Sequence, residues 1–246
     1  MTDASSAGPP ADYFHTTRWT VVVTAGRRHT PQSDIALEEL CRSYWFPLYA
    51  YVRRRGYARE DAEDLTQAFF AAFLGKNYLD GLSVERGRFR AFLLAALKHF
   101  LANEWDKSQR QKRGGAAVHL SLDWQSADTQ FQVADATVLG PDKAFDREWA
   151  VALLGNVIER LDAECAAEGR GREFEVLKIF LTAGKGALPH AAAAAALGLE
   201  EGAVRVAVHR LRKRYRELLR DEIAQTLADS SQVDEELRAL FGSFTP

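Results

Sequence analysis

Cysteine is scarce in this chain. Cys41 and Cys165 lie 124 positions apart in 246 residues, so neither a CxxC pair nor a clustered metal-ligand set is on offer. Both thiols are expected to be free and buried, in a reducing compartment. The opening residues MTDASSAGPPADYF lack a basic stretch followed by an apolar run, and no secretory signal is expected. No uninterrupted apolar run approaches the length needed to span a bilayer. Catalytic signatures are missing too: there is no P-loop, GxSxG, HExxH or GxGxxG, the motifs that cradle phosphates, present a nucleophile or bind zinc. No internal repeat is visible. These absences predict a cytoplasmic protein with no cofactor and no resident metal, and not an enzyme.

What is present is charge, unevenly placed. The formal net charge is only −2. Yet residues 86–113 hold eight Lys/Arg against Glu104 and Asp106, and residues 201–220 hold seven against Glu201 and Glu217. These two segments carry +11 in 48 residues and leave −13 for the other 198. Two basic segments in an otherwise acidic chain suggest two contacts with one polyanion.

The second basic segment has the clearest pattern. An alanine-rich stretch at 189–197 is followed by Gly198, Leu199 and Glu200, and a new helix is expected from Glu201. Two helices joined by a short Gly-containing turn form a helix-turn-helix. On the second helix Val204, Val208, Leu211, Tyr215, Leu218 and Leu219 make one apolar stripe. Arg205, His209, Arg212 and Arg216 repeat that spacing one residue further round. One face is therefore to be buried, and one suits phosphates and base edges. A basic amphipathic helix can also be a solvated surface or a partner-binding helix; the preceding small-residue helix and the Gly turn favour DNA.

Along the chain, residues 1–14 are Ser, Ala, Gly and Pro-rich and are expected to be disordered. Short helices are expected around Trp19 and from Ser33 or Asp34, with Pro47 opening or kinking the piece that ends at Gly56. In AREDAEDLTQAFFAAFLGKN, Ala62, Leu65, Phe69, Ala72 and Phe73 form an apolar face, while Asp61, Asp64 and Gln67 lie on a polar one. Carboxylates at a helix start favour the macrodipole, and no His completes a catalytic or metal site. That face is either solvated or built for a partner. After a loop at 75–88, residues 89–111 should form a long helix in which aromatics interleave with cations, a composition suited to stacking unpaired bases while gripping backbone. Phe89, Leu93, Ala96 and Phe100 are the expected core, leaving the C-terminal half of that helix to function. Polar residues after Gly114 and Gly115 read as a linker, and helices from about 142 to 165 and over REFEVLKIFL should support the helix-turn-helix. The fold class is all-α: two small helical domains, 15–113 and 142–223, joined by a flexible linker at 114–141, with a C-terminal extension at 224–246.

Two stretches in this order, EDAEDLTQAFF with FRAFLLAALKHFLANEWDKSQRQKR, then LPHAAAAAALGLEEGAVRVAVHRLRKRYRELL, resemble the sigma-70 family of bacterial RNA polymerase sigma factors. The likeness is to the small extracytoplasmic-function type, which has only domains 2 and 4. The resemblance implies a transcription initiation factor that binds core RNA polymerase and directs it to promoters. It places docking on the β′ clamp helices at Asp61, Glu63, Asp64 and Gln67. It places opening and reading of the −10 element on residues 75–88 and on Arg90, His99, Asn103, Trp105, Lys107 and Arg110. Reading of the −35 element falls on Arg205, Val206, His209, Arg210 and Arg212, with Lys213 as a phosphate contact. It implies a linker threading along the polymerase toward the RNA exit channel, contact with the β subunit, and room for an anti-sigma factor or other regulator. The chain departs from the family at Phe92 and His99, in the alanine run 191–196, and at Glu200, where a Ser or Thr cap is usual. The alternatives from the residues alone are an ordinary helix-turn-helix regulator without sigma activity and a helical scaffold.

The tail has its own pattern. In SSQVDEELRALFGSF, Ser231 is a candidate N-cap and acidic residues fill the first turn. Val233, Leu237, Leu240, Phe241 and Phe244 form a narrow apolar stripe. A helix this short is marginal alone. It is expected to dock on the last domain for stability, to dock so that Asp234, Glu235 and Glu236 compete with DNA for a basic surface, or to serve a separate regulator.

Overall fold

A computed structural model describes residues 44–75, 88–108, 129, 131, 140–182, 189–227 and 229–244. The expected helix around Trp19, Cys41, the loop at 76–87, Arg110 and most of the expected linker lie outside the described residues. Among the described residues the chain is helical, with no strand and a single isolated bridge between Arg88 and Leu227. The elements are α1 (44–54), α2 (Arg59–Gly75), α3 (Phe89–Ser108), α4 (Pro141–Ala167), α5 (Gly171–Leu177), α6 (Ile179–Thr182), α7 (His190–Leu197), α8 (Glu201–Gln225) and α9 (Val233–Gly242). No described helix is long and apolar enough to cross a membrane.

The first three helices are built on aromatics. Leu48, Tyr49, Val52, Phe69, Phe70, Phe73, Phe89, Leu93 and Leu97 are buried. Phe69 meets Phe100 edge-on at 5.7 Å and Phe73 meets Phe92 at 6.3 Å, which ties α2 to α3 through ring packing. All four residues expected as the core of α3, Phe89, Leu93, Ala96 and Phe100, are buried. On α2, Thr66 is fully buried as well, its hydroxyl satisfied by donating to the Ala62 carbonyl at 2.7 Å; burying a hydroxyl is tolerable only with such a partner. Helix α1 runs through Pro47 and stops at Gly56, which takes a left-handed φ of 94°.

The later helices surround α8. Pro at the first position of α4 costs no hydrogen bond, because that N–H has no intrahelical partner. Phe145, Trp149, Leu153, Val157 and Leu161 then make its buried stripe. Between α5 and α6 the helical path is interrupted at Lys178, whose N–H still reaches the Phe174 carbonyl at 2.7 Å. Helix α8 packs on α4, α6, α7 and α9. Cys165 is buried, and burial pushes its thiol pKa up.

The two sets of helices meet. Trp149 of α4 donates its indole N–H to the Tyr44 hydroxyl of α1 at 3.2 Å, and Lys98 of α3 pairs with Asp142 of α4 at 2.8 Å. Phe89 N–H bonds the Thr226 carbonyl, at the end of α8, at 3.2 Å. Buried residues of both sets form one continuous apolar cluster. Phe131, within the stretch read as a linker, belongs to that cluster: it is buried against Tyr49 and lies beneath the guanidinium of Arg53, 4.8 Å from the ring centre.

Candidate nucleic-acid interface

The turn between α7 and α8 is set by one residue. Gly198 has φ +66°, and with Leu199 N–H bonding the Ala194 carbonyl at 3.0 Å it closes the end of α7. A left-handed residue at this place is the usual helix terminator, and glycine adopts it without a Cβ penalty. Glu200 then starts α8 in extended backbone, with no side-chain cap bond. The apolar stripe expected on α8 is buried at Val204, Val208, Leu211, Leu218 and Leu219, and half-buried at Tyr215.

The opposite face of α8 offers Arg205, Val206, His209, Arg210 and Lys213, all exposed. Val206 is 50% exposed. Arg205 reaches Glu201 at 3.3 Å and Lys213 reaches Glu217 at 3.9 Å, exposed pairs that are worth little and easily exchanged for phosphate. Arg212 is different. It is half-buried and donates from both Nε and Nη2 to the Phe180 carbonyl, at 3.0 and 2.7 Å. Its guanidinium thus satisfies a carbonyl of the short helix α6, which takes it out of the outward-facing set. Arg214 similarly clamps Glu164 of α4 with two bonds of 2.8 Å, and those bonds hold its pKa above the ordinary arginine value.

The first basic segment divides more sharply. His99, Asn103 and Trp105 are exposed on the outer side of α3, with Asn103 3.1 Å from His99 Nδ1 and Trp105 60% exposed. Lys107 lies within α3, but its side chain is outside what is described, as is Arg110. Arg90 does not join the exposed residues. It is 8% exposed, with Nε donating to Glu236 at 2.6 Å, Nη1 paired with Asp146, and the guanidinium 4.8 Å from the Trp149 ring centre. Burial alone would disfavour its charge, but Glu236 and Asp146 outweigh that and hold its pKa up. A guanidinium so enclosed cannot reach a phosphate in this arrangement. The physical reason is the buried carboxylate on α9, whose docking position the sequence left open, together with Asp146 and Trp149 of α4.

On α2 the acidic face is outward. Asp61 and Asp64 are exposed, Gln67 is half-buried, and Glu63 is half-buried and paired with Arg59 at 2.8 Å. No cluster of His, Cys, Asp and Glu able to hold a metal ion is found among the described residues.

Compared with protein-family models, with curated proteins and with solved structures, the chain finds no match in any of the three. Three arginines that the residue patterns did not name individually prove to be prominent: Arg88, Arg214 and Arg220 each hold a carboxylate of another helix. Their sequence signal is membership of the two basic segments, with Arg88 also ending the 75–88 stretch, because the partner that claims a surface arginine is decided by packing.

Proposed function

We propose that the chain is a bacterial transcription initiation factor of the sigma-70, extracytoplasmic-function type, with 15–113 acting as domain 2 and 142–223 as domain 4 on either side of a linker. In this reading it acts in the cytoplasm, without catalysis of its own, by docking on core RNA polymerase and bringing it to promoters. The observation that carries the reading is the outward face of α8: Arg205, Val206, His209, Arg210 and Lys213 project from a helix that follows a left-handed glycine turn. A helix so presented fits a major groove, where Arg pairs with guanine edges, an exposed Val meets the thymine methyl, and Lys holds phosphate. Support comes also from the exposed His99, Asn103 and Trp105 of α3, since an aromatic beside polar groups suits a flipped or unstacked base. The carboxylates Asp61 and Asp64 face solvent, as a basic partner surface on the polymerase would require.

The test is retention by core polymerase followed by run-off transcription from promoter DNA. The full chain is expected to co-elute with core enzyme and to confer promoter-dependent initiation. Asp61→Arg with Asp64→Arg should abolish that retention while leaving the fold intact, because exposed charge swaps cost little stability. Tight operator binding by the chain alone, with no polymerase retention, would replace this reading with an ordinary helix-turn-helix regulator. Neither activity would leave a helical scaffold.

A further inference from the structure

The extension beyond α8 is not merely appended. Asp229 opens it, accepting from Ser231 N–H at 2.8 Å and capping a 3₁₀ turn at Ser230–Gln232; α9 itself starts from Gln232 with no side-chain cap, so Ser231, expected as its N-cap, does not cap it. Helix α9 then packs on α8 and α4, burying Val233, Glu236 and Leu240 and leaving Phe241 and Phe244 largely outside.

All three acidic residues of its first turn take arginines from the two basic segments. Glu235 pairs with Arg88 at 2.6 Å. Glu236, 1% exposed, lies 2.8 Å from Arg88 Nε and 2.6 Å from Arg90 Nε. Asp234 holds Arg220, near the end of α8. Desolvating a carboxylate is costly unless cations meet it. Here the cations are those at the start of the helix read as contacting the opened strand.

We propose that α9 is an intramolecular acidic plug: it occupies Arg88 and Arg90 as a phosphate-bearing strand would, and nucleic acid gains these two arginines only when α9 lifts away. The inference rests on the reading of α3 as a nucleic-acid surface and adds its regulation. The plug and the strand are exclusive, because each arginine can satisfy a carboxylate or a phosphate in the same place, but not both. Binding should therefore be weak in the intact chain and rise when the carboxylates are neutralised.

The test uses the full-length chain carrying Asp234→Asn, Glu235→Gln and Glu236→Gln, which keeps side-chain size and removes charge. A second variant, Asp234→Asn with Glu235→Gln, spares buried Glu236 in case the triple variant folds poorly; far-UV circular dichroism reports folding of both. Fluorescence anisotropy with a labelled single-stranded oligonucleotide of mixed sequence measures affinity across a salt series. The triple variant is expected to bind about tenfold tighter, with a salt dependence steeper by about 1.4, two phosphate contacts on a single strand. The double variant should gain a smaller part of that increase. Adding Arg88→Gln and Arg90→Gln to the triple variant should return affinity to within about twofold of the unmodified chain. No gain in affinity from the folded variants, or a gain that survives loss of both arginines, overturns the plug. The polymerase-retention experiment is independent: its failure removes the sigma reading while the anisotropy result stands, and a failed plug leaves retention untouched.

Discussion

Arg212 and Lys213 are neighbours on α8, and their charged ends go to different places. Arg212 donates twice to the Phe180 carbonyl, whereas Lys213 lies exposed near Glu217. A charged donor to a buried carbonyl contributes about 1.5–3 kcal/mol, and an exposed lysine pair little. Arg212→Ala should therefore lower the melting temperature by several degrees, with any loss of DNA binding following from instability. Lys213→Ala should leave melting unchanged and weaken all DNA sequences alike. Arg205→Ala and His209→Ala should instead relax sequence preference, at about 1–3 kcal/mol for a lost base contact. Equal effects on every sequence from all of these variants would dissolve the division between base-reading and phosphate-holding residues. Glu148 offers a residue-scale test of a different kind. It is 8% exposed on α4, and burial raises its pKa despite attraction from Arg147 and Arg54. A carboxyl whose folded pKa is raised binds its proton more readily in the folded state. Its contribution is therefore most favourable below the unfolded value, about 4.3, and is lost as pH climbs through the folded value. Glu148→Gln should flatten that part of the stability profile, read as melting temperature from pH 4 to pH 7; an unchanged slope would show that this carboxyl is not responsible for it.

At the scale of elements, the α7–α8 turn combines a well-made end with a poorly made start. Gly198 is at φ +66°, and a Cβ added there would meet nothing within 4 Å. The cost of Gly198→Ala is then conformational alone, about 1–2 kcal/mol, or roughly 2–8 °C in a chain of this size. Glu200 begins α8 without a side-chain bond, so Glu200→Ser should gain about 0.5–1 kcal/mol by capping the orphan N–H groups. Thermal melts of the two variants should move in opposite directions. The helix ends and stripes here were legible because glycine and apolar spacing are local signals: Val204, Val208 and Leu211 declare their face without reference to the rest of the chain. The acidic face of α2 was legible for the same reason. What local spacing could not convey was partner choice. Arg90 sits among aromatics in the sequence much as a nucleic-acid contact would, and its burial is decided by Glu236, 146 positions away. Phe131 likewise stands in a polar stretch with no period, and its place beneath Arg53 comes from tertiary packing. The apolar stripe of α9 was legible as a stripe, but Val233 and Leu240 are buried and Leu237 half-buried, while Phe241 and Phe244 stay exposed.

Across the whole molecule, the contacts joining the early helices to the late ones are of two sorts, and they should respond differently. Lys98 with Asp142 is exposed and screened by salt. Trp149, by contrast, is buried on α4, bonded to Tyr44 of α1 and stacked under Arg90 of α3, within one apolar cluster shared by both sets. A shared core makes unfolding cooperative across the elements it joins. Native-state hydrogen exchange should then find the slowest amides of α3 and of α8 opening with the same free energy, while those of α9, held at one edge, open with less. Trp149→Ala removes a large buried ring, at a cost of about 3–5 kcal/mol, and should lower the α3 and α8 values together. Lys98→Ala should shift neither by more than about 0.5 kcal/mol. If Trp149→Ala weakens α8 while α3 keeps its protection, the two sets of helices fold as separate units and the junction is a docking contact rather than a common core.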